Sequence, residues 1–241
     1  MNITGEGMGI GAVALKDSHY SFFSRKSTTT VHNSGVIEKT FLIDCRLLLG
    51  RVNKPSIFLT RIYTWIVDWY MQYPAFQVLL PLGSSIRCAL GLKSFFEPIP
   101  PVAEVRFIYR IYENKVNVSC TLLPFGERFT SLFILNELAA DSFTNGFSNG
   151  NVTRPPSGWM RFEPGSDLYD PGRHLRFCFS YHARDDSVPG KVWWGREFTQ
   201  DLRWAGFEIE FQGIIGLEQQ LQCSYEVSFS TETPAGRDKG A

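Results

Sequence analysis

The sequence predicts an all-β fold, an antiparallel two-sheet sandwich of jelly-roll type with one short helix and long loops. Three observations lead there. Several segments alternate apolar and polar residues with period two, which puts successive side chains on opposite faces of a strand. Only one segment carries apolar residues at helical spacing. Turn residues separate the alternating runs without the strand–helix rhythm of a parallel sheet. The chain has 241 residues, 44% hydrophobic and 15% aromatic, too apolar to be largely disordered.

Residues 1–35 are rich in Gly, Ser and Thr and lack periodicity, so they read as a flexible N-terminal arm. Residues 36–230 read as a single domain, because no Pro/Gly/Ser-rich boundary divides them. Its first strand sets Ile37, Phe41, Ile43, Cys45 and Leu47 against Glu38, Thr40, Asp44 and Arg46, and ends near Gly50. Residues 56–72 set Phe58, Ile62, Trp65 and Trp69 on a helical stripe but also alternate like a strand through Leu59, Tyr63, Trp65, Val67 and Trp69; length and the Pro-Ser entry decide for a helix. Ile86, Cys88, Leu90 and Leu92 form the next strand face, and residues 95–101 form a Pro-rich break. Val105, Phe107, Tyr109 and Ile111, then Val116, Val118, Cys120 and Leu122, make a hairpin around Asn114. A short strand is expected at 131–136 and a long irregular loop at 140–172, with two Asn-Gly pairs. Further strands are expected at 174–182, 191–196, 204–212 and 222–230, before a polar C-terminal tail at 231–241.

Charge narrows the partners. Lys plus Arg equals Asp plus Glu at 24 each, so there is no global pull on nucleic acid or anionic membrane. The longest apolar stretch, 57–82, is interrupted by Arg61, Asp68 and Pro74, and no membrane contact is expected. Cys45, Cys88, Cys120, Cys178 and Cys223 are widely spaced with no C-x-x-C pair, against structural zinc and against a dense disulfide framework. Four of them fall on apolar strand faces, so reduced, buried thiols in an intracellular protein are expected. The sequons at Asn2, Asn117 and Asn151 lean towards secretion, whereas residues 1–15 lack the basic start and apolar run of a signal peptide.

Candidate chemistry is sparse. His174, Cys178 and His182 share the polar face of strand 174–182, but positions four apart on a strand lie roughly 13 Å apart. Metal ligands must converge within about 2.0–2.3 Å of one ion, so these residues do not form a site by themselves. Asp167, Asp170, Asp185 and Asp186 flank that strand as loop carboxylates of a kind that binds calcium, yet D-x-D-x-D-G is absent and turn chemistry accounts for them. Glu208 and Glu210 share a strand face and could form a glycosidase pair in a groove, although surface glutamates explain them fully. No G-x-S-x-G elbow and no phosphate loop after a strand is present. No catalytic residue, cofactor or metal is therefore expected. Trp193 and Trp194 are adjacent, so one must face away from the core, and Trp159 sits in the long loop. With His174, Arg176 and His182, these tryptophans are the candidate interface residues.

The order of elements supports a resemblance. A polar arm leads to a long strand and an aromatic helix, and Phe76-Gln-Val-Leu-Leu-Pro-Leu-Gly83 then introduces Ser85-Ile-Arg-Cys-Ala-Leu-Gly-Leu92. Over residues 36–230 this resembles the jelly-roll coat proteins of picorna-like positive-strand RNA viruses, the plant secovirus branch in particular. The resemblance implies a non-enzymatic capsid subunit, released from a polyprotein in the host cytoplasm and assembled into a virion. It implies related coat subunits as partners, around genomic single-stranded RNA. With only Lys16, Arg25 and Lys26 in the arm, RNA contact would be weak. The alternative is a carbohydrate-binding, lectin-like sandwich, favoured by the sequons, loop carboxylates and exposed Trp. A jelly-roll enzyme is the remaining reading.

Overall fold

The period-two segments pair into one antiparallel sheet, and both halves of that sheet turn an apolar face inward. The computed structural model describes residues 9–32, 35–51, 54–72, 91–138, 142–148, 151–153, 158–182, 190–198, 203–216 and 221–231. In chain order the elements are β1 (Ile10–Lys16), β2 (Ser21–Phe23), β3 (Ser27–His32), β4 (Val36–Arg51), β5 (Lys54–Pro55), α1 (Ile57–Gln72) and β6 (Leu92–Ile111). There follow β7 (Lys115–Pro124), β8 (Phe129–Leu138), β9 (Asn145–Ser148), β10 (Asn151–Thr153), β11 (Gly158–Arg161) and β12 (Ser166–Asp170). The last are β13 (Leu175–His182), β14 (Gly190–Phe198), β15 (Arg203–Ile215) and β16 (Leu221–Ser230).

Neighbouring strands run β10-β9-β12-β13-β16-β7-β6-β4-β2-β1-β8-β15-β14-β11, with β3 and β5 also bonded to β4. Along this path β16 and β8 are separated by β7, β6, β4, β2 and β1, yet their side chains touch. Tyr225 Oη on β16 donates to Asn136 Oδ1 on β8 at 2.9 Å. The rings of Phe179 on β13 and Phe207 on β15 stack at 5.0 Å. Tyr109 Oη on β6 donates to the Ile10 carbonyl on β1 at 3.0 Å. The sheet therefore folds over on itself as a β-sandwich, with Leu15, Ile43, Val105, Phe107, Leu122, Phe177, Phe207, Ile209, Phe211 and Val227 buried between its halves. Each such side chain contributes about 1.5–3 kcal/mol by leaving water. The all-β, antiparallel class agrees with the sequence reading. At the centre β1-β2-β4-β6-β7 is a meander, and the later strands are added outside it, so the strand order does not itself specify a jelly roll.

Several boundaries differ from expectation. Residues 10–32 are not a free arm: they supply β1, β2 and β3, and Ile10, Val13, Leu15 and Phe22 are core residues. Small residues hid this strand, because Ala and Gly between Ile10, Val13 and Leu15 blur the apolar contrast. The Pro-rich segment does not end a strand; β6 continues through it. Its register against β4 jumps between Ile43 and Cys45, which are paired with Ala103 and Pro98. A bulge there takes up prolines that cannot donate to a ladder. The stretch 140–172 carries four short strands, β9 to β12, rather than an irregular loop. The strand expected at Ile86–Leu90 and the tail beyond Thr231 lie outside the described residues.

Helix α1 forms where its spacing predicts. Ser56 opens it, its Oγ accepting from Leu59 N–H at 3.3 Å. Thr60 is the buried anchor, receiving Leu49 N–H of β4 at 2.7 Å. The expected apolar stripe does not face the sheet where it is described: Phe58, Ile62 and Trp65 are all exposed. Among the described residues no helix is long and apolar enough to cross a membrane.

Candidate functional site

Strand β15 departs most clearly from a half-buried strand. Every residue from Ala205 to Phe211 is buried, although the run alternates apolar residues with Gly206, Glu208 and Glu210. Phe207, Ile209 and Phe211 face the core. Period two then directs Glu208 and Glu210 to the other face, where each is only 5% exposed. The expectation of ordinary surface glutamates is thus corrected. A buried carboxyl costs free energy unless it is paired or protonated, so two on one strand mark a specialised face.

Register defines that face. Glu208 lies between Trp193 of β14 and Leu135 of β8, Glu210 between Lys191 and Phe133, and Gly206 between Gly195 and Glu137. On the far side of β8, Leu135 and Phe133 pair with Ala12 and Ala14 of β1, and Lys16 pairs with Ser131. The face thus collects Glu137, Glu208, Glu210, Trp193, Lys191 and Lys16. Gly206 is required where it stands: a Cβ there would lie 2.1 Å from the Asn136 carbonyl oxygen.

The three carboxyls are not equivalent. Each oxygen of Glu210 accepts one hydrogen bond, from Trp193 Nε1–H at 2.8 Å and from Gln212 Nε2–H at 2.6 Å. Lys191 Nζ in turn donates to Gln212 Oε1 at 2.6 Å, so a polar chain runs from the exposed Gln212 inward to Glu210. Glu208 Oε1 is buried with no hydrogen-bond partner among the described residues. Burial, then the Glu210 charge, pushes the Glu208 carboxyl up to about 8; Lys16 opposes this, and Glu137 adds to it. Burial alone pushes Glu137 up to about 7. At neutral pH Glu208 therefore holds a proton, beside a carboxyl whose oxygens both act as acceptors. Chemically this is a donor–acceptor pair, capable of giving a proton to a ligand oxygen and of accepting from a ligand hydroxyl.

The residues singled out in the sequence divide between the two faces. Trp194 is buried in the core and Trp193 faces outward, as adjacent strand residues must. The backbone of Trp159, in β11, pairs with Gly195, two positions along β14 from Trp193. His174 is not a strand residue; it sits in a turn with φ 51°, and its Nδ1 lies 3.1 Å from Tyr169 Oη. Arg176 is tied to buried Asp167 and lies over the Phe147 ring at 4.0 Å. His182 ends β13 opposite Ser224. Asp167 belongs to β12, not a loop, while Asp170 Oδ1 accepts from Gly172 N–H at 2.9 Å and Arg173 N–H at 3.2 Å in an Asx-type turn. Asp185 and Asp186 lie outside the described residues. Among the described residues no group of three or more His, Cys, Asp or Glu is placed to hold a metal ion.

No family model matches the chain, and no curated protein matches it. Solved structures similar in shape include a 4-alpha-glucanotransferase from Thermococcus litoralis, at 10% identity and TM-score 0.39 over 93% of this chain. The chain spans only 28% of that enzyme's length. A protein described as an aldose 1-epimerase, from Escherichia coli K12, matches at 5% identity and TM-score 0.36, over 85% of this chain and 68% of its own. A galactose mutarotase-like protein from Lactobacillus casei matches at 10% identity and TM-score 0.31, over 92% and 82%. None of these is a coat protein, and they are named for carbohydrate chemistry. The viral resemblance, the capsid role and the expectation of a non-enzymatic chain are corrected accordingly. The resemblance rested on element order, which many sandwiches share because the same packing rules shape them all.

Proposed function

We propose that this chain is a carbohydrate-binding β-sandwich whose site is the outer face of β8, β15 and β14. One observation carries the reading: Glu208 and Glu210 are buried on the non-core face of β15, beside a half-buried Trp193. Sugars present hydroxyls that donate to carboxyl oxygens and a C–H face that packs on an indole. Glu210 and Gln212 offer acceptors and a donor, Trp193 offers the ring, and Lys191 marks the solvent side. The protonated Glu208 adds a donor suited to a ring or glycosidic oxygen.

A glycan array, followed by saturation-transfer NMR on any sugar retained, tests the reading. Binding should quench tryptophan fluorescence and be lost in Trp193→Ala and Glu210→Gln, both checked for native circular dichroism. A folded wild-type protein that retains no sugar on the array ends the proposal.

A further inference from the structure

Strand β3 pairs with β4 alone among the described strands, and every one of its residues is exposed, Val31 at 71%. Neither face of it is covered. Which of its backbone groups are free follows from the ladder beside it. Ile111 N–H donates to the Gly35 carbonyl at 3.2 Å, and these two residues extend the β4–β6 register. Bonded positions alternate along an antiparallel ladder, so Ile37, Lys39 and Phe41 also bond towards β6. Val36, Glu38 and Thr40 bond the other way, to His32, Thr30 and Thr28. Ser27, Thr29 and Val31 therefore turn their N–H and C=O groups away from β4, where no described strand lies. Sheet edges are ordinarily guarded by shortness, charge, proline or a bulge. The strands that end the path, β10 and β11, run only three and four residues. β3 runs six, its register to β4 is unbroken, and residues 27–31 contain no charge, proline or glycine.

We propose that the open edge of β3 pairs antiparallel with β3 of a second copy of this chain, joining two sheets across a two-fold axis. The spacing of the free groups selects that occupant. Ser27, Thr29 and Val31 are symmetric about Thr29. With Thr29 opposite its own copy, Ser27 faces the second copy's Val31, and all the outward N–H and C=O groups bond at once. Thr28 then faces the second copy's Thr30 at a non-hydrogen-bonded position, where side chains are close and a Thr–Thr pair is favourable. Thr and Val are also residues that suit a strand. A seam of six residues a side is well short of the roughly 20–30 of a standard interface, so the dimer forms reversibly, as protein concentration rises.

Sedimentation equilibrium of the full chain over a concentration series tests the seam, and the mass should rise from one chain towards two. Thr29→Lys and Thr29→Glu each set like charges opposite one another on the axis, so each variant alone should stay monomeric. An equal mixture of the two should dimerise again, because Lys then faces Glu. Thr29 is exposed, so both variants should keep native circular dichroism. Amide hydrogen exchange followed by NMR reads the register. The Ser27, Thr29 and Val31 N–H groups should gain protection as concentration rises, while those of Thr28, Thr30 and His32 are protected throughout. A wild type that stays monomeric up to its solubility limit overturns the proposal. So does a dimer that persists in Thr29→Lys, or one in which the Ser27, Thr29 and Val31 amides still exchange freely.

Discussion

Trp193 Nε1–H donates to Glu210 Oε2 at 2.8 Å, a diagonal bond from β14 to β15 that secures a buried carboxyl. Gln212 secures the other oxygen. Replacing Trp193 with Phe keeps an aromatic ring but removes the only polar atom of the side chain. One oxygen of a carboxyl that is 5% exposed then loses its donor. Leaving a buried acceptor unpaired costs about 1–3 kcal/mol, and more when it is charged. We expect Trp193→Phe to lower unfolding stability by about 2 kcal/mol in a urea titration, and Trp193→Phe/Glu210→Leu to recover part of the loss. Equal stability of wild type and Trp193→Phe would show that this bond contributes nothing.

The raised carboxyls give stability a definite pH dependence. Glu208 rises from 4.5 to about 8 on folding, and Glu137 from 4.5 to about 7. Between the unfolded and folded values the native state binds more protons than the unfolded state, so stability falls as pH rises. The increment is complete below the unfolded value and gone above the folded one. Urea midpoints should therefore decline from about pH 5 to about pH 9, the last part of the decline belonging to Glu208. Glu208→Gln, neutral at every pH, should flatten that last part. A midpoint that climbs over the same range in the wild type would reverse the sign and refute the burial of these groups in a low-dielectric setting.

The architecture was legible where alternation was strong and hidden where side chains were small or prolines intervened. Phe177, Phe179, Phe207, Ile209, Tyr225 and Val227 were all readable as core from period two alone. Strand β1 escaped because Gly11, Ala12 and Ala14 carry too little apolar contrast, though Leu15 is fully buried. The carboxylate face escaped for a different reason. Alternation says which residues share a face, not whether that face meets water, and Glu208 on a solvated sheet gives the same pattern as Glu208 in a buried one. A signal did exist: Trp193 and Glu208 fall on outward positions of two adjacent predicted strands. Recognising it needs their register, which local sequence does not specify.

Arg176 offers the clearest separation of fold from function. Its guanidinium pairs with Asp167, whose side chain is 7% exposed, and lies 4.0 Å from the Phe147 ring centroid. The pair joins β12 to β13 on the sandwich half away from the carboxylate face. Truncating Arg176 strands a buried charge, and removing one partner of a buried ion pair costs about 3–5 kcal/mol. Replacing both members by apolar side chains of similar volume removes the stranded charge along with its partner. Arg176→Ala should therefore be strongly destabilised in chemical denaturation, while Arg176→Met/Asp167→Leu should recover most of the loss. Sugar binding at the Trp193 face should survive in the double variant, which separates this ion pair from the proposed site. If Arg176→Ala unfolds at the wild-type midpoint, Asp167 has found water or another cation, and the pair has no structural role.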